Sequence, residues 1–223
     1  MAVLLFDMDG TLLNSMPAWI RCEDHLIDQY QLLEKGVHNR ETISQMGLWN
    51  LCEFISNLHD GAHSPDKIYS EILDHMEGFY CSEVEVIAGV RPFLEAMQAY
   101  GITMSVATAT DHDLASKALN HANLLPFFDE VFTNDRSLSH KGESAYWDHI
   151  AEHYQLPKSD FILFDDAAYA LRGAKHSGLR TVGLRDLKSE EEAMVSRQFS
   201  DAFYQSIADI DPGHFIEHWL KRT

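Results

Sequence analysis

The chain has 223 residues, of which 45% are hydrophobic and 23% charged, and it carries a formal net charge of −18. That length allows one large domain, or a core domain with a smaller insert, and the composition is that of an ordinary globular protein. The acidic balance argues against nucleic acid and anionic membranes as partners, because both are met with basic patches.

A small anionic substrate stays open, since a divalent cation and one lysine reverse the sign locally. The three cysteines, Cys22, Cys52 and Cys81, are odd in number and form no CxxC pair. They suggest neither a disulfide framework nor a zinc knuckle, and read as small hydrophobes. The opening "MAVLLFDMDG" lacks a basic leader region, so no signal peptide is expected. No stretch approaches the roughly 18 apolar residues of a membrane helix. A soluble, cytoplasmic protein is the expectation, as a monomer or weak dimer.

The first predicted strand is "AVLLF", 2–6, a near-continuous apolar run suited to burial on both faces. It ends in Asp7 and Asp9, followed by Gly10 and Thr11. Carboxylates are costly to desolvate unless something positive lies beside them. Two of them at the mouth of a buried strand therefore imply a cation, a reaction, or both.

From Leu13 to about Val86 no strand pattern appears. Trp19, Cys22, Leu26, Tyr30 and Leu33 form one helical stripe. "ETISQMGLWNLCEFISNL" reads as one helix or a broken pair, with Gly47 marking the break. Trp49 lies beside that break, and His38 and Arg40 lie in a nearby polar turn. "SPDKIYSEILDHMEGFY" opens with Ser64 as N-cap and Pro65 at the first helical position. This block is expected to be a small all-helical domain, 14–89, inserted into a core of 1–13 and 90–223. Its connections, Leu13 to Met16 and Val86 to Gly89, are expected hinges, with Pro17 stiffening one and Gly89 freeing the other.

Further along, Val90, Phe93, Leu94 and Met97 fall at helical spacing. "TMSVA", 103–107, is a strand that delivers Thr108, and "EVFT", 130–133, is a weaker one. Lys141 follows in "SHKGES", and Trp147, Ile150, Ala151 and Tyr154 mark another helix. "FILF", 161–164, delivers Asp165 and Asp166, and "RTVGL", 180–184, is the last predicted strand. The tail reads as a charged helix and a closing amphipathic helix. Strands alternating with helices give an α/β fold, a parallel sheet with helices on both faces.

In such sheets functional groups gather at the carboxyl ends of the strands. Asp7, Asp9, Thr108, Asp165 and Asp166, with Lys141, could therefore converge on one edge. Hard oxygen ligands suit Mg²⁺. A lysine, a hydroxyl and backbone N–H groups suit a phosphate. One aspartate could attack phosphorus, and a second could protonate the leaving oxygen and then activate water. Uncatalysed phosphate-monoester hydrolysis is extremely slow, so positioning, metal and nucleophile would all be needed.

With these motifs in order along nearly the whole chain, the sequence resembles the haloacid dehalogenase (HAD) superfamily. Its DxDGT signature is here "DMDGT", and the helical block sits where that family inserts an α-helical cap. The resemblance implies a Rossmann-like sheet and a phosphoric monoester hydrolase acting on a small phosphorylated metabolite, sugar phosphates included. It implies Asp7 as nucleophile and Asp9 as general acid/base, with the Asp9 backbone carbonyl also on Mg²⁺. Thr108 and Lys141 would bind phosphate, helped by the N–H groups of Met8, Gly10 and Ala109. Asp166 would anchor the metal, with Asp165 as its neighbour.

Two departures from the family pattern stand out: "DD" where many relatives have glutamate or glycine before the metal aspartate, and Gly142 where proline usually follows the lysine. The latter is expected to loosen that loop. A β-phosphoglucomutase-like sugar-phosphate mutase shares every core motif and remains the alternative. Asp9 argues against dehalogenase chemistry. Phosphonate cleavage in relatives uses a cap lysine, for which the insert offers only Lys35 and Lys67. Outside the family, "HIAEH", 149–153, matches the zinc-peptidase pattern H-x-x-E-H. The apolar stripe on the other side of that helix accounts for it as an amphipathic cover. A non-catalytic phospho-ligand binder would not need a nucleophile and an acid together.

Overall fold

A computed structural model describes residues 2–37, 43, 48–137, 139–185 and 190–220. Gly47, His38 and Arg40 lie outside these residues. The chain divides into two compact units, Met1–Asn14 with Val84–Thr223, and Ser15–Glu83. Residues 84–89, assigned to the insert from sequence, thus cluster with the sheet.

The larger unit is built on six parallel strands: β1 (Val3–Phe6), β2 (Thr103–Thr108), β3 (Val131–Thr133), β4 (Phe161–Asp165), β5 (Arg180–Leu184) and β6 (Ala202–Tyr204). Their spatial order is β3-β2-β1-β4-β5-β6. β1 is central and pairs with β2 and β4, Phe6 lying opposite Val106 and Phe164. Alternate residues of a strand face opposite ways, and here both faces are covered. Val3, Leu5, Ala107 and Leu163 pack with Trp147 and Ile150 of the helix Ser144–Tyr154. On the other side Phe6 stacks on Phe164 at 4.7 Å, and both meet Phe93 of the helix Val90–Ala99. Burying each of these rings contributes about 2 kcal/mol, which is what makes near-continuous apolar runs stable here.

β6 has no counterpart in the sequence reading, which took the tail as helical. It is three residues long, half-buried throughout, and lies at the sheet edge. So short a run on an edge carries no pattern that separates it from a loop.

Among the described residues the smaller unit packs three helices: α1 (Met16–Gln29), α2 (Leu48–Leu58) and α3 (Pro65–Ser82). Ala18, Cys22 and Leu26 of α1 are buried, as are Ile68, Ile72, Met76 and Tyr80 of α3. Ser64 caps α3, its hydroxyl accepting the Lys67 N–H. The Trp19 indole donates to the Tyr80 hydroxyl at 3.0 Å. The expected stripe does not reach Leu33, which is 55% exposed. Gln31 adopts a left-handed conformation at φ 48°, which breaks the helical register just beyond Tyr30. No helix among the described residues is long and apolar enough to cross a membrane.

Candidate active site

β1 and β4 are hydrogen-bonded neighbours that end side by side, so the residues that follow them meet. The Asp7 N–H donates to the Phe164 carbonyl at 2.9 Å, carrying the ladder one residue past β1. This places Asp7 beside Asp165, the last residue of β4, and Asp166. Ligand oxygens of Asp7, Asp165 and Asp166 all lie within 4.8 Å of one another, and all three residues are buried. Into this group comes Lys141, 1% exposed, with Nζ 2.5 Å from Asp7 Oδ1 and 2.6 Å from Asp165 Oδ2.

One ammonium faces three carboxylates. Burial pushes the Asp7 and Asp165 carboxyls up; Lys141 opposes this, and the neighbouring carboxylates add to it. Burial works against the Lys141 charge, but Asp165 and Asp7 outweigh it and hold the amine protonated. The surplus negative charge, all on hard oxygens, fits a small divalent cation such as Mg²⁺.

The supports are local. The Ala167 N–H donates to Asp165 Oδ1 at 2.7 Å, and the Ser196 hydroxyl donates to the Asp166 carbonyl at 3.0 Å. The Lys141 N–H donates to the Asn134 side-chain oxygen at 3.1 Å, just beyond β3. At Gly142, the residue after Lys141, a Cβ would lie 3.3 Å from the Tyr169 ring. A Cβ on Gly173 would meet the Gly142 carbonyl oxygen at 2.6 Å. Glycine at 173 lets the backbones of loop and helix touch.

Thr108 ends β2 with its side chain buried. Tyr146 ties the ends of β2 and β3, its hydroxyl 2.9 Å from the Phe132 carbonyl and 3.3 Å from that of Thr108. Asp9 is half-buried, and its Oδ2 accepts the Thr110 hydroxyl at 2.7 Å. The Asp9 carboxylate is not in the three-carboxylate group.

Gly10 departs from expectation: its N–H donates to the Leu13 carbonyl at 2.9 Å and is used within the turn. Its φ of 81° lets the chain reverse there, while the Met8 carbonyl accepts the N–H groups of Leu12 and Leu13. The Met8 side chain is core. Ala109 follows Thr108 directly, where β2 ends. Trp49 belongs to the helical unit, 44% exposed, its ring edge-on to Tyr69 at 5.7 Å.

His149 and His153 line a cavity of about 180 Å³ away from this group, both rings meeting Phe132 edge-on. Among the described residues no third ligand joins them to make a metal group. Thr110 and Asn134 were missed from sequence. Their only signal was position, two residues past a strand-end threonine and one past a strand, which polar loop residues share widely.

A family model for haloacid dehalogenase-like hydrolases matches residues 4–184. The chain is 22% identical over 186 residues to a fructose-1-phosphate phosphatase of Escherichia coli (strain K12), covering 82% of this chain and 96% of that protein. It is also 22% identical over 192 residues to a phosphorylated carbohydrates phosphatase of Thermotoga maritima, covering 82% and 84%. The fold matches a crystal structure of a point mutant of CbbY from Rhodobacter sphaeroides in complex with xylulose-(1,5)bisphosphate. There the TM-score is 0.77 at 17% identity, over 94% of this chain and 96% of that one.

Proposed function

Because this chain belongs to the haloacid dehalogenase-like hydrolase family, we propose that it is a Mg²⁺-dependent phosphatase of small phosphorylated metabolites, sugar phosphates foremost. The observation that carries the reading is the buried group of Asp7, Asp165 and Asp166 built around Lys141. Two of the relatives are phosphatases of phosphorylated sugars or carbohydrates, which supports that substrate class.

In this reading Asp7 attacks phosphorus and carries the phosphoryl group as an acyl phosphate. Asp9 gives its proton to the leaving oxygen, then takes one from the water that releases phosphate from Asp7. Lys141 and the Thr108 hydroxyl hold the phosphate oxygens, and Lys141 keeps the Asp7 carboxylate turned toward them. Asp7, Asp165, Asp166 and the Asp9 carbonyl would hold Mg²⁺, which when bound neutralises phosphate charge. The helical unit is the cap in this reading, and its half-exposed Trp49 is assigned to substrate choice.

The test is a turnover screen over phosphorylated metabolites with Mg²⁺, measuring free phosphate and isomerised product together. Phosphate release from one or more sugar phosphates is expected. Isomerised product without phosphate would replace phosphatase by mutase. Asp7→Asn, which keeps the shape but cannot attack, is expected to fall to the level of a contaminant control while melting near wild type. Steady turnover well above that control would overturn the covalent route.

A further inference from the structure

Thr110 lies two residues beyond β2 and is 7% exposed. Its backbone N–H donates to Thr108 Oγ1 at 3.1 Å, and its own hydroxyl donates to Asp9 Oδ2 at 2.7 Å. A hydroxyl has one proton and two acceptor sites. Thr108, by accepting the Thr110 amide, has its remaining proton directed elsewhere. Thr110 in turn commits its one proton to Asp9 Oδ2, an oxygen that can accept it whether or not the other carboxyl oxygen carries a proton. A single short turn therefore orients two groups, the phosphate-binding hydroxyl and the acid–base carboxylate, that lie about a hundred residues apart in sequence.

We propose that Thr110 is a positioning residue for the proton transfers made by Asp9. Its hydroxyl sets the rotation of the Asp9 carboxylate, while its amide sets the Thr108 hydroxyl. Phosphate and proton-exchange contacts are thereby held at a constant separation through both halves of the reaction. This rests on the assignment of Asp9 as general acid and base. Orientation at a reacting centre is worth a great deal: a misplacement of about an ångström costs up to about 10²-fold in rate.

The test variant is Thr110→Val, which keeps the branched shape and the amide but loses the O–H. With glycerol phosphate as substrate, kcat is expected to fall about 10-fold or more. KM should stay within about twofold, because Thr108 and Lys141 are untouched, and Thr110→Ser should restore most of the rate. Thr110→Ala, which adds no apolar atom, carries the same expectation should the valine variant fold poorly. In the double variant with Asp9→Asn the loss should be no greater than for Asp9→Asn alone, since residues acting through one group are not additive. A full additional loss there would overturn the proposal, as would a raised KM with unchanged kcat; Thr110 would then only staple two loops. Full turnover by Asp9→Asn itself would remove the acid–base assignment, and the proposal with it.

Discussion

Lys141 is almost wholly buried between two carboxylates, with a third beside them. Removing one partner of such a group costs far more than the net worth of the pair, about 3–5 kcal/mol, because the remaining charge stays buried and uncompensated. Lys141→Met, which keeps the stem and removes the charge, is therefore expected to unfold at clearly lower urea in metal-free buffer. Millimolar Mg²⁺ should return part of that loss, as any ligand of the native state does. A loss under about 1 kcal/mol in metal-free urea titration would show that the carboxylates do not depend on Lys141 for compensation. The residues of this group were legible in the sequence because their order and strand-end placement match the family's motifs; Lys141 taken alone reads as a surface lysine. Asn134, which holds the Lys141 backbone, and Thr110, which holds Asp9, were not, since threonine and asparagine in loops serve any turn equally well. Nor could sequence reveal that the Gly10 N–H is used by its own turn, which depends on the path of the chain back to Leu13.

At the level of elements, Gly89 changes meaning. The sequence suggested a glycine that leaves a hinge free. The structure has it at φ 85° starting the helix Val90–Ala99, where an added Cβ would lie 2.5 Å from the Ala208 backbone. It is a fixed contact between that helix and the segment after β6. Gly89→Ala is expected to destabilise by more than about 1 kcal/mol, from the left-handed conformation alone, and Ala208 adds a clash. Melting temperature measures this, and Ala208→Gly should recover only the part due to contact with the Ala208 side chain. An unchanged melting temperature would mean the backbone relaxes away from both constraints. Proline at 89, which needs φ near −65°, is incompatible with this backbone and would disrupt the helix start before any effect on motion. Strands β1, β2, β4 and β5 were legible because each is buried on both faces and needs an unbroken apolar run. Of the edge strands, β6 was invisible because half-burial relaxes that demand, and β3, though buried throughout, was faint because three residues are too few to carry a pattern.

For the whole molecule, a parallel sheet sends all its strand ends the same way, which is how distant stretches of an acidic chain concentrate charge at one edge. Chelation is expected to stop turnover, and Mg²⁺ to restore it better than Ca²⁺, whose longer and looser coordination suits a close carboxylate group less well. Equal rates with Ca²⁺, or a requirement for zinc, would argue against this group as a Mg²⁺ site. The alternation of strands and helices was readable across the molecule, whereas the division near Glu83 was not, because "SEVEVIAGV" has no breaker until Gly89. That division has a consequence of its own. The chain leaves the sheet unit after Asn14 and returns by Val84, and the flanking residues are laced together: the Asn14 N–H donates to Glu85, the Ile87 N–H to Leu12, and Leu13 bridges Val86 antiparallel. Ser15–Glu83 is thus a loop whose mouth is already sewn shut by the larger unit. Lengthening such a loop costs little, about 0.6 kcal/mol per doubling, so natural selection could exchange or remodel this whole module without unpicking the catalytic frame that bears it.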